Sequence, residues 1–187
     1  MRLVQQQHIV AIVVTTVAAF CFTQPSPVVG AATGAYVGNG FNQATANYSC
    51  VLAGDLNKAS GMFATIGGGF WNSAPGARAF IGGGEVNRAG ASHTVLGGGF
   101  YNTVNSALAG TTANVLVGGY SNVISASNAS VVGGGYLNTV TTGNTVTVSG
   151  GANNTATGHA SNIAGGEGNF VGSVEVWCWR SGCMHAL

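Results

Sequence analysis

Between residues 36 and 172, apolar and polar positions recur with a period near 15, anchored on asparagine. The column reads Asn42, Asn57, Asn72, Asn87, Asn102, Asn122, Asn138, Asn154 and Asn169, with spacings of 15, 15, 15, 15, 20, 16, 16 and 15. Six residues before each asparagine stand Tyr36, Val51, Ile66, Ile81, Leu96, Leu116, Val132, Val148 and Ile163. Two residues after it stand Ala44, Ala59, Ala74, Ala89, Val104, Ile124, Val140, Ala156 and Val171. Both columns are wholly apolar, so both are expected to face a buried interior. Four and three places before the asparagine, glycine fills eight of nine units, the exceptions being Ala53 and Asn39. Such glycines fit a bend at positive φ or a close approach of neighbouring chain.

Consecutive glycines exclude a helix, because each costs about 1 kcal/mol relative to alanine there. The short pieces between them, such as 93–96 (HTVL) and 129–132 (ASVV), have the patterning of short strands. A unit with two short strands and two turns is one coil of a parallel β-solenoid or β-roll. The expected fold class is therefore all-β, with about nine 15-residue coils stacked ~4.8 Å apart, or about 43 Å in all. An asparagine in every coil predicts an internal ladder, each amide bonding backbone groups of neighbouring coils. Cys50 shares a column with Phe80 and Val95 and is expected to be a buried thiol.

Composition narrows the function classes. Charged residues are 5% of the chain, five basic and four acidic, against about 25% in ordinary domains. That excludes a nucleic-acid partner, which needs clustered Lys and Arg. Residues 9–22 form an apolar run of 14 followed by Pro25 and Pro27. The run is too short for a membrane span of about 20 residues and suits the core of a secretory signal. The expected organisation is a signal peptide over 1–31, a repeat domain over 32–172 and a non-repeat tail over 173–187. A secreted, extracellular location follows, with no membrane span in the mature chain. In that compartment Cys178 and Cys183 are a candidate disulfide. Three sequons make Asn47, Asn128 and Asn153 candidates for glycosylation.

No pattern for catalysis, metal or cofactor binding stands out, so catalytic, cofactor and metal sites are all expected to be none. Asp55, Glu85 and Glu167 share one repeat column; the first two are two coils apart, about 10 Å. That is a weak basis for a carbohydrate-active enzyme with paired carboxylates. Lys58, Arg78 and Arg88 suggest a mild basic strip. Thr139, Thr141, Thr145 and Thr147 hint at a threonine array of the kind an ice-binding face needs. The inner core is thin, so self-association is expected. The apolar residues at the glycine bends, Phe70, Trp71, Phe100, Tyr101, Tyr120 and Tyr136, are the candidate binding or association surface.

The stretch 57–84 (NKASGMFATIGGGFWNSAPGARAFIGGG) resembles the head repeats of trimeric autotransporter adhesins, the YadA-like head. Ala59-Ser60-Gly61, Ala64 and Ile66-Gly67 match that repeat's form, as do Ala74, Gly76, Ala79 and Ile81-Gly82. The resemblance covers about 36–172 and is best over 51–100. It implies a left-handed coil, a trimer, extracellular display, and adhesion to a host matrix protein or cell-surface glycan. The combined expectation is a secreted, non-enzymatic repeat protein with an adhesive or structural role. An ice-binding or carbohydrate-binding solenoid is the alternative, and a carbohydrate-active β-helix enzyme the second.

Overall fold

The computed structural model describes residues 32–38, 40–105, 113–172, 176–179 and 182–185, the last two segments as backbone only. The signal-peptide reading of 1–31 lies outside them. Every regular element among the described residues is a strand, most of them two residues long. Most of the strands stack in two long parallel sheets, and Ser127–Asn128 and Gly143–Asn144 pair as a third, two-stranded one. Sheet one begins Tyr36–Val37, Cys50–Val51, Thr65–Ile66 and continues coil by coil to Asn162–Ile163 and Val176–Trp179, with Gly182–His185 added antiparallel at its end. Sheet two holds nine strands from Gln43–Ala44 to Phe170–Val171. A strand leads through a corner into the other sheet, and one circuit is one coil. The protein is a β-solenoid of about nine coils.

Register explains the repeat. Cys50, Thr65, Phe80 and Val95 are successive partners in sheet one, then Val115, Val131, Thr147 and Asn162. Parallel neighbours in register keep each sequence column on one face of the stack. The aliphatic column from Val51 to Ile163 and the alanine–valine column from Ala44 to Val171 are buried together. Two further columns fill the interior. One is small or polar: Ser49, Ala64, Ala79, Thr94, Asn114, Ser130, Val146 and Ser161. The other is smaller still, with Gly61, Gly76 and Ala91 buried at the corner after sheet two.

Two expectations are corrected. Tyr36 is exposed, because it pairs with Cys50, and Val37 takes the place opposite Val51. The first coil is one residue shorter between that position and Asn42. Gly40, at φ 70°, accordingly does the work that Gly54 does in the next coil. The Asp55 carboxylate accepts the Phe41 N–H at 2.7 Å beside this deletion. Cys50 is half-buried, with its column partners Phe80 and Val95 exposed. Its strand alternates, and Val51 is the inward residue. The partial burial still pushes the Cys50 thiol pKa up, by desolvation of the thiolate.

The asparagine column forms the ladder. Asn57 Nδ2 donates to Asn42 Oδ1 at 3.0 Å and to the Gly69 carbonyl of the following coil at 2.8 Å. Asn57 Oδ1 in turn accepts the Asn72 N–H and Nδ2–H at 3.0 Å each. The same pattern reaches Asn169. Glycine three places before the asparagine is required by this geometry. At Gly84, φ is 82° and a Cβ would lie 2.2 Å from the Gly99 carbonyl oxygen and 2.8 Å from Asn87 Nδ2.

Candidate functional site: an aromatic edge on the solenoid

The corner between the sheets is closed by a third run of parallel pairing. Single residues bridge coil to coil in the order Asp55, Phe70, Glu85, Phe100, Tyr120, Tyr136, Ala152, Glu167. Each bridging residue is followed by one at positive φ: Leu56, Trp71, Val86, Tyr101, Ser121, Leu137, Asn153 and Gly168. Bulky and β-branched residues rarely adopt that conformation. Here it turns the amide back towards the preceding coil. Trp71 N–H reaches the Asp55 carbonyl at 3.1 Å, and Tyr101 N–H the Glu85 carbonyl at 3.0 Å. The hydrogen bond compensates a local cost of about 1 kcal/mol or more.

The bridges bring together three of the six residues singled out from the sequence, Phe100, Tyr120 and Tyr136, while the Glu85 coil stands between them and Phe70. Phe70, Phe100, Tyr120 and Tyr136 occupy one column, while Trp71 and Tyr101 lie in the next. Phe100 and Tyr120 stack with centroids 5.3 Å apart and planes 21° apart; Tyr120 and Tyr136 do so at 5.2 Å and 21°. Phe70 tilts against Trp71 at 5.9 Å, and Phe100 against Tyr101 at 5.3 Å. The edge is open to solvent: Trp71 is 60% exposed, Tyr101 54% and Tyr136 47%. The faces of Phe100, Tyr120 and Tyr136 lie against one another from coil to coil.

A second stack escaped the sequence reading. Tyr48 and Phe63 lie parallel, 5.0 Å and 6° apart, and the Arg78 guanidinium sits over Phe63 at 5.5 Å. His93 follows in the same corner column, and all four have positive φ. The signal was present at a spacing of 15, six residues after each asparagine. Its mixed chemistry hid it.

The other candidates separate. Asp55 and Glu85 share the bridge column as expected, but the Phe70 coil stands between them. Lys58 and Arg88 stand on sheet two, two coils apart, and Arg78 is at the far corner. Thr139 lies on sheet two, Thr147 on sheet one and Thr145 at a corner, so these threonines form no single array. Asn47 is exposed, its Oδ1 accepting the Thr33 N–H at 3.1 Å. Asn153 is an exposed corner residue. Asn128 is half-buried, and its Oδ1 is buried with no hydrogen-bond partner. Among the described residues no group of three or more His, Cys, Asp or Glu is placed to hold a metal. No helix among them is long and apolar enough to cross a membrane.

No protein-family model matches this chain, and no curated protein matches it significantly.

Proposed function

We propose that this chain is an extracellular, non-catalytic repeat protein. Its rigid solenoid holds the aromatic edge out for adhesion to a protein surface, a second copy of itself included. The trimer that the YadA-like resemblance implies is the form in which it would act. The observation that carries the reading is the stacked column Phe100, Tyr120 and Tyr136 with its exposed neighbour Tyr101. Aromatic rings already held by stacking lose little conformational freedom on binding and add large apolar area, which is why they anchor interfaces. Tyr120 has both faces covered, by Phe100 and Tyr136. A sugar needs an open ring face to stack on, so the middle of this edge suits a protein partner better than a glycan. The candidate enzyme site has less support, because Asp55 already holds the Phe41 N–H and lies two bridges from Glu85.

The test is light scattering and binding to immobilised matrix proteins, with wild type beside Tyr120→Ser/Tyr136→Ser. Circular dichroism is expected to stay unchanged, while association and adhesion weaken at least tenfold. A wild-type chain that is monomeric and non-adherent, or a variant that adheres as well, would refute the reading. One observation favours the ice- or glycan-binding alternative: Thr139 and Thr141 sit beside Thr155 and Thr157 of the next coil on sheet two. Thermal hysteresis of the same samples would move the assignment there.

A further inference from the structure

Beyond coil nine the chain adds a hairpin to sheet one. Val176–Trp179 runs parallel to Asn162–Ile163, and Gly182–His185 returns antiparallel to it. The register pairs Val176 with His185, Trp177 with Met184, Cys178 with Cys183, and Trp179 with Gly182. Residues directly opposite in an antiparallel pair have Cα atoms about 4.5–5.5 Å apart. A disulfide spans about 4.4–6.8 Å between Cα atoms. A slip of one residue would set Cys178 against Met184 or Gly182, so the two cysteines are register partners in this pairing and not in its neighbours.

A second placement bears on what the pair does. Cys178 is the backbone register partner of Ile163, the last residue before it in the sheet-one column of Val132 and Val148. The last coil of a solenoid leaves one side of its interior and its sheet edges without a following coil. Repeat folds need a distinct cap there, and open parallel edges recruit further strands. An antiparallel hairpin ends the parallel ladder of sheet one.

We propose that Cys178 and Cys183 form a disulfide that staples this hairpin as the end cap of the solenoid. The oxidant is a disulfide donor such as oxidised glutathione. One cysteine thiolate attacks the donor and forms a mixed disulfide, releasing one donor thiol. The second thiolate displaces the other donor thiol, so the donor takes up two electrons and each cysteine gives up its proton. The staple does not depend on the adhesive reading, since it is a property of the fold in any oxidising medium.

The chain carries arginine at 180, between the two cysteines, and at 88. This makes the bond readable by mass. The full chain is equilibrated in oxidised and reduced glutathione, blocked with N-ethylmaleimide, denatured and cut with trypsin. The expected result is peptide 181–187 joined to peptide 89–180, separating on reduction, with peptide 3–58, which carries Cys21 and Cys50, outside the link. Maleimide on both Cys178 and Cys183, or either one joined to Cys21 or Cys50, would overturn the proposal. Repeating the equilibration in urea tests the placement itself. The disulfide should be favoured at least tenfold more in the folded chain, and equal oxidation in both would show that the hairpin register does not hold the pair.

Discussion

Gly83 and Gly84 are neighbours in the sequence and opposites in what they tolerate. A Cβ on Gly84 would meet the Gly99 carbonyl oxygen at 2.2 Å, at a φ of 82°, whereas one on Gly83 meets nothing within 4 Å. Gly84→Ala is expected to cost ~2 kcal/mol or more in urea unfolding, from strain and collision together. Gly83→Ala should stay within ~0.5 kcal/mol, as Ala53 already occupies that column in another coil. Equal costs would mean the glycine run is not read position by position. Cys50 gives a pH test. Its raised pKa leaves less thiolate near neutral pH than an ordinary thiol has, so iodoacetamide should label it more slowly in the folded chain than in urea. The associated stability is present below the ordinary thiol range and is lost as pH rises through the raised value. Matching pH–rate profiles for the folded and unfolded chain would remove that account.

The asparagine ladder behaves as one element although its members are about 15 residues apart. Asn87 Oδ1 accepts the Asn102 N–H at 3.0 Å and Nδ2–H at 3.2 Å, and its own Nδ2 serves the Gly83 and Gly99 carbonyls. Asn87→Ala leaves the buried Asn102 N–H without its partner and takes one bond from the Gly83 carbonyl, while the Gly99 carbonyl keeps the Glu85 N–H and Asn102 Nδ2 keeps the Gly98 and Gly119 carbonyls. An unsatisfied buried group costs about 1–3 kcal/mol, so a loss of ~2–3 kcal/mol is expected. Among the described residues Asn169 is the last of the ladder, its Nδ2 donating to Asn154 Oδ1 and the Gly165 carbonyl. Asn169→Ala should cost no more than about half as much, measured by the same denaturation. If the two losses are alike, the amides act locally rather than as a ladder. The aromatic bridges are an element of the same kind. Their residues are adjacent only because coil stacking makes positions one period apart into neighbours.

At the scale of the molecule, contacts run from each coil to the next, so stability should follow nearest-neighbour rules. Deleting residues 73–87 removes one whole period and joins Asn72 to Arg88 in phase. This variant should keep its β-type circular dichroism and shorten by about 4.8 Å in small-angle scattering. Deleting only 73–80 puts every later inward column out of phase and should unfold the chain or strip its second half. Unfolding by the in-phase deletion would show that the coils are not interchangeable.

Period, fold class and the two main core columns were legible in the residues alone. A parallel stack repeats the same environment every coil, and one environment in nine copies leaves a sequence average that single positions cannot hide. The asparagines were legible for the same reason. Other features were decided only by the folded chain. The one-residue deletion in the first coil is invisible to counting back from Asn42, because it appears only as the pairing of Val37 with Val51. The inward column of Ser49, Thr94 and Asn114 looked polar, because the Ser49 hydroxyl and the Asn114 amide are satisfied across turns and coils that the sequence does not display, while the buried Thr94 hydroxyl has no hydrogen-bond partner. Cys50 was assigned inward from the company of Phe80 and Val95, yet all three lie on the outer face. In a strand of two residues only one side chain can enter so narrow a core, and Val51 occupies it. The stacked rings of Phe100, Tyr120 and Tyr136 likewise required the structure, since ring orientation follows from the coil above and below and not from any residue's own neighbours in the chain.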